Sequence, residues 1–217
     1  MKDQPHGDRG LSRRDFLRGG MAVGLGTAAL GAAAEAAQDE NAEGATGSGR
    51  ARRIRGKTEV VLRVDGQDLR LAVEPRTSLL SALRDHAPLD GGAPNTGPKL
   101  VCDGGNCGAC TVLLDGRPAA ACMVLAHDVG GQEVRTVRGI GGPDAMSDLQ
   151  QAFCDHDGMM CGFCTPGFVT ALTAELERNP GASAQQLREA CAGNLCRCGT
   201  YPQVFEAALA VAKGERR

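Results

Sequence analysis

The chain has 217 residues, with 24 Lys and Arg against 26 Asp and Glu. No basic field is available to gather nucleic acid, and no acidic excess is present to keep the whole chain unfolded. Its 31 glycines, about twice ordinary usage, and its lack of Trp exclude one large aromatic core and favour two small domains with loop-borne sites.

Residues 1–37 read as a targeting segment. Ser12-Arg13-Arg14-Asp15-Phe16-Leu17 is a twin-arginine sequence, followed by an Ala- and Gly-rich run from Gly19 to Ala34 and a small-residue stretch at Ala34-Glu35-Ala36. The glycines make that run a poor spanning helix, and no strand precedes it to form a dinucleotide fingerprint. The expectation is a periplasmic protein carried folded by the twin-arginine export machinery, a route suited to chains that receive their cofactors before export. Residues 38–57 read as a flexible linker ending in Arg50, Arg52, Arg53, Arg55 and Lys57. Gly56-Lys57-Thr58 is not a phosphate-binding loop, because Ala51 stands where its first glycine belongs.

A first domain is expected over 58–138. Val60, Leu62 and Val64 alternate with polar residues, as do Leu69, Leu71 and Val73 after the turn Asp65-Gly66-Gln67-Asp68, which predicts a hairpin. Thr77 or Ser78 then caps a short helix whose Leu79, Leu80 and Leu83 lie against it. A Gly/Pro-rich loop follows from Pro88 to Pro98, then a strand at Thr111–Leu114, a turn at Asp115-Gly116 and a strand around Glu133–Val137. Strands with one crossing helix predict a small α+β grasp.

All ten cysteines fall between Cys102 and Cys198, too many for thiols that merely fill a core. An even count in an exported chain ordinarily means disulfides, so spacing has to decide. Cys102, Cys107 and Cys110 have four and two residues between them, and Cys122 follows after eleven more. This is the plant-type 2Fe-2S ferredoxin spacing, with three ligands on one tight loop and the fourth from across a hairpin. Gly104, Gly105 and Gly108 let the backbone wrap closely and aim N–H groups at sulfur. Zinc usually takes two similar pairs of ligands, so the three-plus-one loop favours iron-sulfur. The four histidines, His6, His86, His127 and His156, lie outside the cysteine motifs, which excludes Rieske chemistry.

The remainder, 139–217, predicts four helices. Ser147 with Gln150 forms a capping box for the first, bearing Leu149, Ala152 and Phe153 and stopping at Gly158. Thr165-Pro166 starts the second, with Val169, Leu172 and Leu176. Ser183 with Gln186 caps the third, and Pro202 opens the fourth, with Val204, Ala208 and Val211 inward. Cys161 and Cys164 lie between helices one and two, and Cys196 and Cys198 between three and four. In an up-down bundle both connections fall at one end and give a single four-thiolate site. Either iron-sulfur or zinc satisfies that geometry, whereas a bond between Cys196 and Cys198 would be strained. Cys154 and Cys191, beside Phe153 and Ala190, read as core thiols, with a bridge between helices one and three as the alternative.

Cys102-Asp-Gly-Gly-Asn-Cys107-Gly-Ala-Cys110-Thr-Val, Cys161-Gly-Phe-Cys164-Thr-Pro-Gly and Gly193-Asn-Leu-Cys196-Arg-Cys198 resemble the small iron-sulfur subunits of molybdenum hydroxylases, the xanthine oxidase family. The resemblance covers about residues 58–213 and, with the leader, points to periplasmic aldehyde oxidoreductases. It departs at Met160, where a Gln often contacts the pterin, at Gly199-Thr200, which reverses a common Thr-Gly, and at Val101, which replaces a common Gly. The resemblance implies a β-grasp ferredoxin domain followed by an all-α four-helix domain, each with a 2Fe-2S cluster. A large partner subunit would hold molybdopterin and oxidise an aldehyde or N-heteroaromatic substrate. Electrons would enter at Cys161, Cys164, Cys196 and Cys198 and pass through Cys102, Cys107, Cys110 and Cys122 towards an FAD-binding subunit, with no catalytic residue in this chain. A free-standing two-cluster ferredoxin and a zinc- or disulfide-stapled interaction module are the competing readings.

Overall fold

The computed structural model describes residues 55–86, 88 and 92–215; the predicted leader and all but the last three residues of the predicted linker lie outside the described residues. All described residues belong to one compact unit, Arg52–Arg217. Within it two hydrophobic cores form, one around a sheet and one among helices.

β1 (Thr58–Val64) and β2 (Gln67–Val73) pair antiparallel from Thr58 opposite Val73 to Val64 opposite Gln67. The predicted four-residue turn is shorter. Asp65 (φ 51°) and Gly66 (φ 79°) alone make it, both left-handed, the geometry that matches the twist of the flanking strands. Gln67 and Asp68 therefore open β2. Asp is among the few residues other than glycine that take that backbone readily, and here its carboxylate is engaged at both oxygens. It accepts from the Thr136 N–H (2.6 Å), the Thr136 hydroxyl (2.7 Å) and Asn95 Nδ2 (3.1 Å). Thr136 and Asn95 are buried, so Asp65→Ala would strand their donors and is expected to cost roughly 3 kcal/mol. A lowered urea midpoint at unchanged m-value is the measurement that checks it.

The sheet runs β2-β1-β5-β3-β4, with β5 (Glu133–Arg135) parallel to β1 and antiparallel to β3 (Thr111–Leu114). Edge strand β4 (Arg117–Ala120) pairs with β3 and was not predicted. Its sequence, Arg-Pro-Ala-Ala, has no β-branched residue, and Pro118 is tolerated there because an edge needs fewer donors. Helix α1 (Leu79–Asp85) is capped by Ser78, whose hydroxyl accepts from the Ser81 N–H at 3.2 Å. Leu79, Leu80 and Leu83 join Leu62, Val64, Leu71 and Val73 in the first core. The helix backbone itself packs on two 3-10 turns, Ala121–Met123 and Ala126–Val129, more than on the hairpin.

The last strand ends at Arg135, not Val137. Thr136 caps a short helix, α2 (Val137–Ile140), by accepting from the Arg138 N–H, and Val137 and Ile140 turn to the second core. The four expected helices follow: α3 (Asp148–Asp155), α4 (Thr165–Arg178), α5 (Ala184–Ala190) and α6 (Tyr201–Ala212). Both capping boxes form, Ser147 with Gln150 and Ser183 with Gln186, each cap contributing about 1 kcal/mol. At the end of α3 the left-handed residue is Asp157 (φ 52°) rather than Gly158. Gly158 is needed for another reason: a Cβ there would press on the Phe153 ring at 3.0 Å. Phe153, Phe168, Leu172, Leu187 and Val204 centre the second core. α3 packs chiefly on α6, while α4 also lies against β3 and so joins the two halves.

Candidate functional site

The first group of thiols is shaped by backbone. Between Cys102 and Cys110 the chain turns through three left-handed residues, Asp103 (φ 48°), Gly105 (φ 74°) and Gly108 (φ 66°). Asp103 thus takes the place expected of Gly104. Cys122 arrives on the 3-10 turn Ala121–Met123, where its Sγ accepts from the Gly105 N–H at 3.3 Å and lies 3.5 Å from Cys110 Sγ. Cys102 and Cys107 form the other pair, their thiols hydrogen-bonded. Backbone N–H from Gly104, then the Cys107 thiol and the Asn106 N–H, hold Cys102 down to about 7. Burial lifts Cys110 to about 11.

The second group forms as the helix connections predict. Cys161 and Cys164 come from the α3–α4 connection, Cys196 and Cys198 from the α5–α6 connection. Cys161 Sγ and Cys198 Sγ lie 3.5 Å apart, and the Cys164 and Cys196 thiols are hydrogen-bonded. The Phe163 N–H lowers Cys161, while burial raises Cys164 to about 12. Burial also pushes Cys196 upward, but it is outweighed by hydrogen bonds from the Thr200 hydroxyl and backbone, bringing the thiol to about 7. The Cys196 N–H donates to Tyr201 Oη at 2.8 Å, and Tyr201 meets Phe168 edge-on at 5.8 Å between centroids.

Among the described residues no three His, Cys, Asp or Glu converge to hold a single metal ion. In space, whatever their order along the chain, the thiols of each group lie as two hydrogen-bonded pairs, the donor set that a two-iron cage takes, where a zinc ion draws its four ligands to one tetrahedral point. All ten cysteines are free. Cys191 is the expected core thiol, 4 % exposed and pushed up to about 12 by burial. Cys154 is not: it is exposed on α3, at an apolar groove of about 490 Å³ lined by Phe153, Met159 and Val169. No bridge joins the two.

The contact between the two cysteine loops was not foreseen. The Leu195 N–H donates to the Cys107 carbonyl at 3.0 Å, and Asn194 Nδ2 to the Gly108 carbonyl at 3.0 Å. The Thr111 N–H and hydroxyl bond the same Gly108 carbonyl. A Cβ at Gly108 would overlap Asn194, and one at Gly167 would overlap the Gly108 carbonyl. The available signal was Gly193-Asn194-Leu195 directly before Cys196. Large exposed apolar side chains flank both groups in sequence: Val101 and Met123 beside the first, Met160, Phe163 and Leu195 beside the second.

Residues 136–209 match the [2Fe-2S] binding domain family. The chain is 37 % identical over 229 residues to the aldehyde oxidoreductase iron-sulfur-binding subunit PaoA of Escherichia coli O157:H7, covering 99 % of this chain and 93 % of that protein. It is 40 % identical over 153 residues to the nicotine 6-hydroxylase small subunit of Paenarthrobacter nicotinovorans, with 70 % and 88 % covered. Among solved structures, a chain of quinoline 2-oxidoreductase from Pseudomonas putida 86 aligns with a TM-score of 0.66 at 36 % identity, over 75 % of this chain and 98 % of that one. Paired thiols on two loops, a matching cluster-binding domain and near-full-length relatives together assign the chain to the small iron-sulfur subunits of the molybdenum hydroxylase (xanthine oxidase) family.

Proposed function

We propose that this chain is the electron-transfer subunit of a periplasmic molybdenum hydroxylase that oxidises an aldehyde or an N-heteroaromatic compound. Cys102, Cys107, Cys110 and Cys122 hold one 2Fe-2S cluster in a β-grasp ferredoxin domain. Cys161, Cys164, Cys196 and Cys198 hold a second in a four-helix domain. Each cluster, when bound, supplies a one-electron carrier between a molybdopterin site on a large catalytic partner and FAD on a third subunit. The chain's own residues supply thiolates, N–H donors to sulfur, and a rigid spacing between the two groups.

The observation that carries this reading is the hydrogen bond from the Leu195 N–H to the Cys107 carbonyl. Leu195 adjoins Cys196, so a path of one hydrogen bond and eleven covalent bonds joins the Cys107 thiol of one group to the Cys196 thiol of the other. Two unrelated sites would not need that contact. The exposed Met160 and Phe163 beside the second group support a partner surface there, and the names of the relatives support aldehydes or N-heteroaromatics as substrates.

Electron paramagnetic resonance of the dithionite-reduced native complex is expected to give two distinct rhombic 2Fe-2S signals. A colourless protein containing zinc would refute the proposal. Co-purification with a molybdenum-containing subunit separates it from a free-standing two-cluster ferredoxin. Export is checked by fractionation: Arg13→Lys with Arg14→Lys should hold the protein in the cytoplasm, and unchanged periplasmic recovery would remove the export route.

A further inference from the structure

We propose that Thr200 sets the electron affinity of the second cluster through an O–H···S hydrogen bond to Cys196, an inference that rests on Cys196 being a cluster ligand. Thr200 Oγ1 lies 3.1 Å from Cys196 Sγ, and both residues are buried, 5 % and 8 % exposed. An iron-bound thiolate carries no proton, so the hydroxyl must be the donor. Its placement is specific. Thr200 is the N-cap of α6, where a threonine oxygen ordinarily accepts from a helix N–H, yet it makes no side-chain cap bond. Pro202, the second residue of the helix, has no N–H, which removes one of the two amides that a cap oxygen ordinarily receives. A cap bond would use only a lone pair of the oxygen, so the hydroxyl proton is available to the sulfur. Gly199, at φ 81°, provides the turn that brings Thr200 back over Cys196, a conformation strained for a β-branched residue. Among the described residues, Thr200 is the one hydroxyl bonded to a sulfur of either group; Cys122, for example, accepts from a backbone N–H.

On reduction the cluster takes one electron from the reductant. No bond forms or breaks, and Thr200 keeps its proton. The added negative charge spreads onto the sulfurs, so a donor in a water-poor site favours the reduced form and raises the potential. Removing the hydroxyl lowers it, while the backbone donors to Cys196 remain.

The test is a redox titration of the native complex followed by electron paramagnetic resonance. Thr200→Val is expected to lower the reduction equilibrium of the second cluster roughly tenfold, or 59 mV for one electron. Thr200→Ser should restore the wild-type value, and the first cluster, whose ligands do not touch Thr200, should not move. Absence of a second signal in the wild type would refute the ligand reading itself. Two normal signals with an unmoved potential in Thr200→Val would overturn the tuning role alone, as would a Thr200→Ser potential as low as that of Thr200→Val. Where Thr200→Val does not load, Thr200→Ala carries the same expectation. Failure of both to load while Thr200→Ser loads normally would also overturn tuning, because the hydroxyl would then act in assembly.

Discussion

Cys107→Ala is expected to remove one of the two 2Fe-2S signals and leave the other intact, with iron falling from about four to about two atoms per chain. Cys107 pairs with Cys102, so its loss leaves one iron with a single thiolate, while Cys110 and Cys122 cannot hold a two-iron cage alone. The second group should survive because it stands on other elements. Cys161, Cys164, Cys196 and Cys198 are carried by connections between helices whose core is separate from that of the sheet. The substitution also spares the bridge, since the Leu195 N–H bonds the backbone carbonyl of Cys107, which alanine retains. The reciprocal variant, Cys198→Ala, should lose the other signal. Iron analysis and the reduced spectrum check both, and loss of both signals from either single substitution would refute two independent ligand sets. Under the order of transfer that the family resemblance implies, substrate should still reduce the remaining cluster of the Cys107→Ala complex, and electrons should stop there.

The legible parts of this chain were those in which local chemistry acts alone. Alternation gave the hairpin of β1 and β2, Ser-x-x-Gln gave the caps of α3 and α5, and thiol spacing gave the two groups that the structure gathers. The illegible parts depend on residues distant in sequence. The hold of Asp65 on Thr136 and Asn95 has no local signature, so the turn is two residues shorter, and the last strand ends two residues earlier, than local pattern predicts. β4 was hidden because an edge strand needs neither β-branched residues nor a full set of donors. Cys154 and Cys191 sit in similar local sequence, each beside an apolar neighbour at a helix end. One is exposed and the other buried because only α5 turns that position to the core. The Asn194 and Leu195 contacts join positions more than eighty residues apart, and nothing in the spacing of cysteines encodes that the loops touch.

That contact makes Gly167→Ala the most informative single change away from the thiols. Gly167 lies in the first turn of α4 and is buried. In an isolated helix the substitution would gain about 1 kcal/mol of propensity. Here the added Cβ would overlap the Gly108 carbonyl oxygen and stand 3.0 Å from Asn194 Nδ2. Neither neighbour can yield cheaply: the oxygen belongs to the backbone of the first cysteine loop, and the amide is bonded to it. Relief requires α4 and that loop to part, which strains packing by roughly 1–3 kcal/mol and breaks the Asn194 and Leu195 hydrogen bonds at about 1 kcal/mol each. The clash outweighs the propensity gain, and the net expectation is a loss of about 3 kcal/mol. For a unit of this size that lowers the melting temperature by roughly 6–12 °C. The separation should also weaken the magnetic interaction between the two reduced clusters while each signal persists. Gly116→Ala, in the turn between β3 and β4, supplies the contrast. Its φ of 77° strains an alanine by about 1 kcal/mol, but no atom lies within 4 Å of the added Cβ, so the interaction between the clusters should not change. A Gly167→Ala protein that melts with the wild type and keeps its full spin coupling would show that the two loops are not clamped, and with that the proposed short path between them would fail.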